Sequence, residues 1–297
     1  MVLDALSRRL LTRARIGILA INTGSRSTPL VNPAVFELAG DSLWMTTSRH
    51  AAKVTLARRD PRAAFLVDAG ERAVHLDGSL EVYDLRSISG SIQAAFDAPS
   101  FIRGMAGYSL KNAPFIGGYL IDIVSVPRQW WPQNRIVMRL RVRHSLALEL
   151  TPIPSTRSSR VAGAPADVQS AVGRNPIAYA CWAEGGVPQL SPCVWVADGP
   201  DGLFWLPAGL DREAPTGTLG ALVIEKHHRF RATQMVGMCL RGRINRDPRA
   251  EELIASRYGG ALGEGTAYRL EAARNSWWRG FQVSTVRVER EAPTGRH

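Results

Sequence analysis

Three consecutive hydroxyl side chains and two basic side chains lie where a predicted strand gives way to a predicted helix. They are Thr46, Thr47, Ser48, Arg49 and Lys53. The N-terminus of a helix exposes unpaired N–H groups and the positive end of the helix dipole, so it attracts anions. Arg49 and Lys53 are four residues apart, which puts both cations on one helix face. The pattern predicts a phosphate-binding site, with a capped surface helix carrying two solvated cations as the alternative.

The elements that would position this site are short strands and one helix. Leu43–Thr47 is predicted to be a strand, and the helix after it runs from Arg49 to Arg59, capped by Ser48 and ended by Asp60-Pro61. Further strands are predicted at Ile16–Ile21, Leu30–Leu38, Ala63–Val67 and Val74–Tyr83. Short strands at close spacing predict a mainly β, α+β fold of small antiparallel barrels with helices packed outside.

The chain also repeats itself. Four blocks of the first half return in the same order in the second half, three of them at an offset of 159 or 160 residues. The matched blocks are Pro29–Phe36 with Pro188–Trp195, Asp41–Trp44 with Asp201–Phe204, His75–Val82 with Gln234–Arg241, and Trp130–Trp131 with Trp277–Trp278. We therefore expect two tandem barrel domains that form an intramolecular pseudo-dimer. The predicted parts are a first domain (1–149), a linker rich in Pro, Ser, Ala and Gly (150–173), a second domain (174–290) and a tail (291–297).

The run from Leu43 to Val67 resembles the pyridoxamine-phosphate-oxidase-like, FMN-binding split barrels, a superfamily that also includes deazaflavin (F420) reductases and haem-binding members. The resemblance rests on a strand that ends in Thr47, a helix that carries Lys53, and a proline, Pro61, that closes the helix before an aliphatic strand. Lys53 stands eight residues before Pro61 and six after Thr47, the spacing of the family's flavin-phosphate lysine and hydroxyl. The resemblance implies two tandem split β-barrels, FMN as cofactor, and hydride transfer between the flavin and a small organic substrate.

The same resemblance implies that the cofactor lies between the two halves. In the family's homodimers the partner subunit supplies a tryptophan and an arginine from its last strands, and Trp278 and Arg287 stand at the matching places here. The strand residues Val31, Pro33 and Ala34 would line the flavin edge. With the phosphate on Thr47, Ser48, Arg49 and Lys53, we expect one cofactor per chain. Core packing at a barrel end is the alternative role for the tryptophans.

Two departures from the family pattern bear on the activity. Ala52 replaces the arginine, and Ala73 the flavin-contacting glutamine, of the oxidase members. Both argue against a pyridoxamine phosphate oxidase more than against flavin binding. In the second copy, Pro207 and Glu213 match the phosphate-binding hydroxyl and lysine at the 160-residue offset. A carboxylate repels phosphate, so we expect the second half to bind none.

Two other cofactors and a second class of function stay open. F420 has a longer anionic tail, for which Arg26, Arg58 and Arg59 could form a basic groove. Haem would need an axial ligand, for which His50 and His75 are the first-half candidates. A non-catalytic flavin or haem binder is the alternative to an enzyme. No nucleophile–base pair or carboxylate pair stands out, so the sequence identifies no catalytic residue.

Composition limits the partners. The net charge is +11, but only three of the basic residues are lysines, and the arginines are scattered. This arginine bias is typical of a GC-rich bacterial genome, and it predicts no nucleic-acid partner. The three cysteines are widely spaced and the histidines lack ligand spacing, so no metal site is expected.

The sequence also predicts the location and assembly of the protein. No apolar run is long enough to cross a membrane, and the N-terminus lacks the features of a signal peptide, so we expect a cytoplasmic protein. Apolar residues at helical spacing from Val2 to Leu11 predict an amphipathic helix that packs on the first domain. We expect a monomeric pseudo-dimer or a homodimer.

Overall fold

The structure is a computed structural model, and it describes residues 3–24, 28–150, 157–208, 214–228, 230–260 and 262–289. The first half contains six strands, β1 (Ile16–Ile21), β2 (Leu30–Ala39), β3 (Ser42–Ser48), β4 (Arg62–Asp68), β5 (Arg72–Tyr83) and β6 (Arg135–Glu149). They form a closed antiparallel barrel in the order β1-β2-β3-β6-β5-β4.

The second half repeats this topology. Its strands are β7 (Ile177–Glu184), β8 (Val187–Asp198), β9 (Asp201–Pro207), β10 (Thr218–Lys226), β11 (Val236–Arg246) and β12 (Gly265–Arg279). They close in the order β7-β8-β9-β12-β11-β10, which matches the first barrel strand for strand. A further strand, β13 (Gln282–Arg287), pairs with β12 outside this closed order. The expected fold, two tandem antiparallel barrels of the split-barrel type in one chain, is confirmed.

Helices pack outside the barrels. They are α1 (Ala5–Arg13), α2 (Ala52–Arg59), α3 (Ile88–Phe96), α4 (Ala98–Lys111), α5 (Ala113–Ile121), α6 (Ala166–Val172) and α7 (Ala250–Tyr258). The expected N-terminal helix is α1, and Leu3 and Leu11 from this segment are buried in the first core. The predicted linker contains α6, whose Val168 and Val172 are buried in the second core. No helix in the described ranges is long and apolar enough to span a bilayer.

Side-chain alternation gives each barrel an interior and also a face that packs on the other barrel. Along β1, Leu19 and Ile21 point into the first barrel, while Ile18 and Ala20 point outward. The outward residues join a separate core that both halves share, with Leu190 of β8 among its members from the second half. Burial of apolar surface therefore holds the two barrels together.

The strand ladders correct the repeat alignment. Trp195 pairs with Phe204 as Phe36 pairs with Met45, so β9 follows β3 at an offset of 159. The glycines that face a carbonyl of the neighbouring strand at the bulge are Gly78 and Gly242. The third matched block is therefore shifted, because Gly78 corresponds to Gly242 and not to Gly237.

The two tryptophan pairs are not equivalent. Trp277 and Trp278 lie within β12, whereas Trp130 and Trp131 precede β6. The second-half equivalent of Thr47 is Leu206, because Thr47 pairs with Ile136 as Leu206 pairs with Thr266. The predicted match to Pro207 was wrong by one residue, yet the conclusion that this place lacks a hydroxyl holds. Glu213 lies outside the described residues.

Candidate functional site

A cavity of about 580 Å³ lies between the two halves. The first half contributes β2, the end of β3, the start of α2, the first residues of β6 and the inner faces of α4 and α5. The second half contributes β11, β12 and the turn after β12. The charged residues in its lining are Lys53, Arg135 and Arg241. No carboxylate or histidine belongs to this lining, as far as the described part of the chain goes. The cavity is therefore suited to an anionic ligand with a large apolar part.

Two cations and a hydroxyl meet at one end of the cavity. Thr47 is the second-last residue of β3, Arg135 begins β6, and Lys53 is the second residue of α2. The ladder pairs Ser48 with Arg135, which brings the end of β3 to the start of β6. The hydroxyl of Thr47 is buried and has no hydrogen-bond partner among the described residues. We call Thr47, Lys53 and Arg135 the anion cluster.

Neither cation of the anion cluster is neutralised. Lys53 and Arg135 have no carboxylate within 4.0 Å anywhere in the described ranges. The side chain of Lys53 is closely surrounded by protein, although part of its surface stays open to the cavity. Burial, and next the positive charge of Arg135, lower the pKa of Lys53 from 10.5 to about 8. An anion bound here would compensate both positive charges and raise the pKa of Lys53 again.

The neighbours of Arg135 hold its guanidinium in place. Arg135 donates to the hydroxyl of Thr46 at 2.6 Å and to the Thr46 carbonyl at 3.2 Å. The Thr46 hydroxyl lies 3.1 Å from the hydroxyl of Tyr108 in α4. The guanidinium carbon lies 5.8 Å from the ring centroid of Tyr119 in α5. Thr46 therefore orients the arginine, and its hydroxyl is already engaged.

The barrel opens between β2 and β3 beside the anion cluster. Residues Leu30–Val35 pair with β1 along one edge, while the β2–β3 ladder contains only Phe36–Ala39. The end of β3, Thr46–Ser48, pairs with β6 instead. The outer edge of Leu30–Val35 therefore has no strand partner in the described structure, and it lines the cavity. Its backbone groups are available to the polar edge of a planar ring.

The second half closes the cavity with aromatic side chains. Trp278 on β12 lines it and is 8% exposed. Gly237 of β11 pairs with Trp278 across the ladder, and a Cβ atom at this glycine would lie 2.1 Å from the indole. Any larger residue would therefore displace the ring. Phe281 lies 5.1 Å from Trp130 and 6.1 Å from Tyr119 between ring centroids, and all three line the cavity. This wall suits a flat, apolar group.

Seven of the ten predicted cofactor-binding residues line the cavity. They are Val31, Pro33, Ala34, Thr46, Thr47, Lys53 and Trp278. The other three, Ser48, Arg49 and Arg287, are not among the lining residues that the structure describes. Ser48 donates its hydroxyl hydrogen to the carbonyl of Gln129, and Arg49 forms an ion pair with Asp84. Arg287 is exposed on β13, opposite Arg274 of β12.

The helix after β3 begins later than the sequence predicted. The β3–β6 ladder continues through Ser48, and the Arg49 N–H donates to the carbonyl of Asn134 at 2.8 Å. The helix α2 therefore starts at Ala52, with Ala51 as its N-cap and no side-chain cap. Arg49 is not helical, so it does not share a helix face with Lys53.

Sequence reasoning missed Arg135 and Arg241. Arg135 is 82 residues beyond Lys53 (135 − 53) and reaches the site only through the β3–β6 pairing. Arg241 belongs to the other half, inside a block that the repeat alignment had shifted. No local motif marks either residue.

The place in the second half that corresponds to the cavity is partly filled. Leu190 on β8 corresponds to Val31 on β2, and its N–H donates to Nε2 of His75 at 3.4 Å. The ladders place Cys239 at the position of His75 and Arg241 at that of Asp77. Cys239 is smaller than histidine, and it lines the cavity next to Val31. The two halves therefore differ beside the strand edge that would contact the ligand, where the first half has Val31 facing Cys239 and the second half has Leu190 facing His75.

Comparison with known proteins gives structural matches. No protein-family model and no curated protein matches the chain. Similar solved structures include an FAD-binding protein from Mesorhizobium loti, with 19% identity over 50% of this chain and 96% of that chain and a TM-score of 0.35. Others are a candidate pyridoxamine 5'-phosphate oxidase from Listeria innocua (15% identity, 48% and 94% covered, TM-score 0.30) and an F420 reductase (20%, 47% and 94%, 0.30). These are proteins of the kind that the sequence resembles, but at such identities and TM-scores they carry no conclusion about the ligand.

Proposed function

We propose that the cavity binds FMN through its phosphate and that the protein is a flavin-dependent oxidoreductase acting on a small organic substrate. The observation that carries the proposal is the anion cluster. Lys53 and Arg135 lack carboxylate partners, and the buried Thr47 hydroxyl lacks a hydrogen-bond partner, within the described structure. A phosphate monoester carries a charge of about −1.5 to −2 at pH 7 and has three strong acceptor oxygens. It therefore matches two cations and one free hydroxyl.

The energetics favour a ligand at this place. Two like charges held close together in a partly buried wall are unfavourable unless an anion compensates them. Hydrogen bonds from arginine and lysine to phosphate are stronger than those between neutral groups. Because Thr46 holds Arg135 in place, little side-chain entropy is lost when phosphate binds.

The remaining walls suit an isoalloxazine ring. The free edge of Leu30–Val35 offers backbone donors and acceptors to the polar edge of the ring, and the small side chains of Pro33 and Ala34 allow close approach. Trp278 supplies an aromatic surface from the second half. The bound flavin would supply the redox chemistry. The protein's groups in the cavity that can hold a proton include Lys53, Tyr108, Tyr119 and Cys239.

The other cofactors have less support. Three arginines were expected in a basic groove for the F420 tail. Arg58 lies 3.5 Å from Asp84, Arg59 is exposed and is not among the lining residues, and Arg26 is outside the described residues. Neither His50 nor His75 is among the lining residues, and the ring of His75 already accepts a hydrogen bond from Leu190. FMN is therefore favoured over both F420 and haem.

A titration followed by absorbance tests the cofactor. The purified protein is freed of bound ligand and titrated separately with FMN, F420 and haemin. We expect saturable binding of one FMN per chain, with a change in the flavin spectrum. Failure to bind FMN, or tighter binding of F420 or haemin, contradicts the assignment.

Anaerobic stopped-flow kinetics test the enzymatic part. The FMN-loaded protein is reduced and mixed with a panel of small conjugated acceptors. Reoxidation of the bound flavin by at least one acceptor is expected to be faster than that of free reduced FMN. Rates that never exceed those of free FMN would instead indicate a non-catalytic flavin binder.

A further inference from the structure

The third cation of the cavity, Arg241, lies on the wall that the second half contributes. Along β11, Met238 and Leu240 point into the second barrel, whereas Cys239 and Arg241 point outward to the first half and line the cavity. Nε of Arg241 is buried and has no hydrogen-bond partner among the described residues. In the same ranges no carboxylate lies within ion-pairing distance of Arg241. The guanidinium interacts with the Cys239 side chain through a hydrogen bond, but no carboxylate among the described residues compensates its charge. A half-buried cation of this kind is unfavourable unless it binds an anionic ligand.

The barrel fold does not require a positive charge at the position of Arg241. Arg241 precedes the bulge glycine Gly242, as Asp77 precedes Gly78 in the first half. The same place thus carries a carboxylate in one half and a guanidinium in the other. Only the guanidinium faces the cavity that contains the anion cluster.

Arg241 and the anion cluster belong to different walls. Thr47, Lys53 and Arg135 all come from the first half, where β3, α2 and β6 meet. Arg241 lies on β11 beside Cys239, which packs in the shared core with Val31. Aromatic and aliphatic side chains form much of the rest of the lining. They include Phe115, Ile116, Tyr119, Trp130 and Phe281.

We propose that Arg241 binds the carboxylate of the substrate, so that the cavity accepts an aromatic or similarly apolar acid. The proposal rests on the proposed function in one respect, because FMN phosphate would occupy the anion cluster and leave Arg241 for a second anion. A guanidinium can bind a carboxylate through two parallel hydrogen bonds, which fixes the orientation of the acid. The apolar wall would hold its ring by burial of apolar surface.

Isothermal titration calorimetry with two matched probes tests this role. Benzoate carries the carboxylate, and benzamide has nearly the same shape without the charge. Each probe is titrated into the ligand-free protein and into the protein saturated with FMN. The variants are Arg241→Met, Arg241→Lys and the control Arg243→Met. Arg243 is two residues along the same strand, exposed, and donates to the Gly217 carbonyl.

The expected result is specific to charge and to position. Benzoate should bind the FMN-saturated wild type at least tenfold more tightly than benzamide does. Arg241→Met should weaken benzoate binding by about tenfold or more, the usual loss for a hydrogen bond to a charged group. Arg241→Lys should keep part of the affinity, and Arg243→Met all of it. The affinity for FMN should not change in either Arg241 variant.

Three results would overturn the proposal. The first is equal benzoate affinity in the wild type and Arg241→Met. The second is loss of FMN from Arg241→Met, which would make Arg241 a cofactor-binding residue. The third is benzoate that competes with FMN, which would place it on the anion cluster. If the wild type does not bind FMN at all, the cofactor assignment fails, while the titrations of the ligand-free protein still decide the role of Arg241.

Discussion

Lys53→Met is expected to stabilise the ligand-free protein and at the same time to weaken FMN binding. Burial and the charge of Arg135 lower the pKa of Lys53 from 10.5 to about 8. At about 1.4 kcal/mol per pH unit, holding this lysine protonated in the folded state costs about 3 kcal/mol. Part of the side chain is open to the cavity, and solvent screening reduces the figure. We therefore expect the free energy of unfolding to rise by about 1 to 2 kcal/mol at pH 7.

The sign of this effect follows from proton binding. Between about pH 8 and pH 10.5 the unfolded chain holds a proton on Lys53 that the folded protein has lost. The stability of the wild type should therefore rise through this interval, because the cost of the buried charge disappears. The advantage of Lys53→Met should be full below pH 8 and should vanish above about pH 10.5.

Urea unfolding with and without FMN measures both effects. FMN affinity should fall by about 10- to 100-fold in Lys53→Met, the loss expected for a hydrogen bond from a charged donor. Lys226→Met is the matched control, because Lys226 is exposed at the end of β10. A ligand-free variant that is less stable than the wild type would refute the account of the unpaired charge. Unchanged FMN affinity would refute the phosphate assignment.

Three further predictions concern the same cavity. Thr47→Val should lower FMN affinity by about tenfold without lowering the melting temperature of the ligand-free protein, because the hydroxyl has no described partner. Gly237→Ala should displace Trp278 and reduce the quenching of tryptophan fluorescence by FMN, whereas Gly260→Ala, which has open space around its Cβ, should not. Calorimetric titrations should show FMN affinity that is level between about pH 7 and pH 8, where the phosphate is mostly a dianion, and that falls above pH 8 as free Lys53 loses its proton. A flat profile above pH 8 would contradict this.

The local half of the site could be predicted from the sequence. A strand that ends in Thr47 and a helix that carries Lys53 are neighbours along the chain, so their spacing indicates their arrangement. Arg135 could not be found this way, since only the pairing of β3 with β6 brings it to the cluster. Arg49 was expected to join them, but it lies in the turn between β3 and α2, and its side chain pairs with Asp84.

The repeat was predicted correctly, but its register was not. A constant offset assumes equal loops in both halves, whereas the ladders place Gly242 at the position of Gly78 and Leu206 at that of Thr47. Strand registers depend on pairing across the barrel, which a comparison of short blocks cannot see. Because the repeat alignment had the wrong register, it did not show that Arg241, which precedes the bulge glycine Gly242, stands at the position of Asp77.

Comparison of FMN with riboflavin tests the central claim most directly, because the two ligands differ only in the phosphate. The affinities of both for the wild type and for Lys53→Met form a double-mutant cycle. We expect the wild type to bind FMN at least tenfold more tightly than riboflavin and Lys53→Met to lose most of this preference, with riboflavin affinity nearly unchanged. Equal binding of the two ligands by the wild type, or the same preference in the variant, would contradict a phosphate held by Lys53.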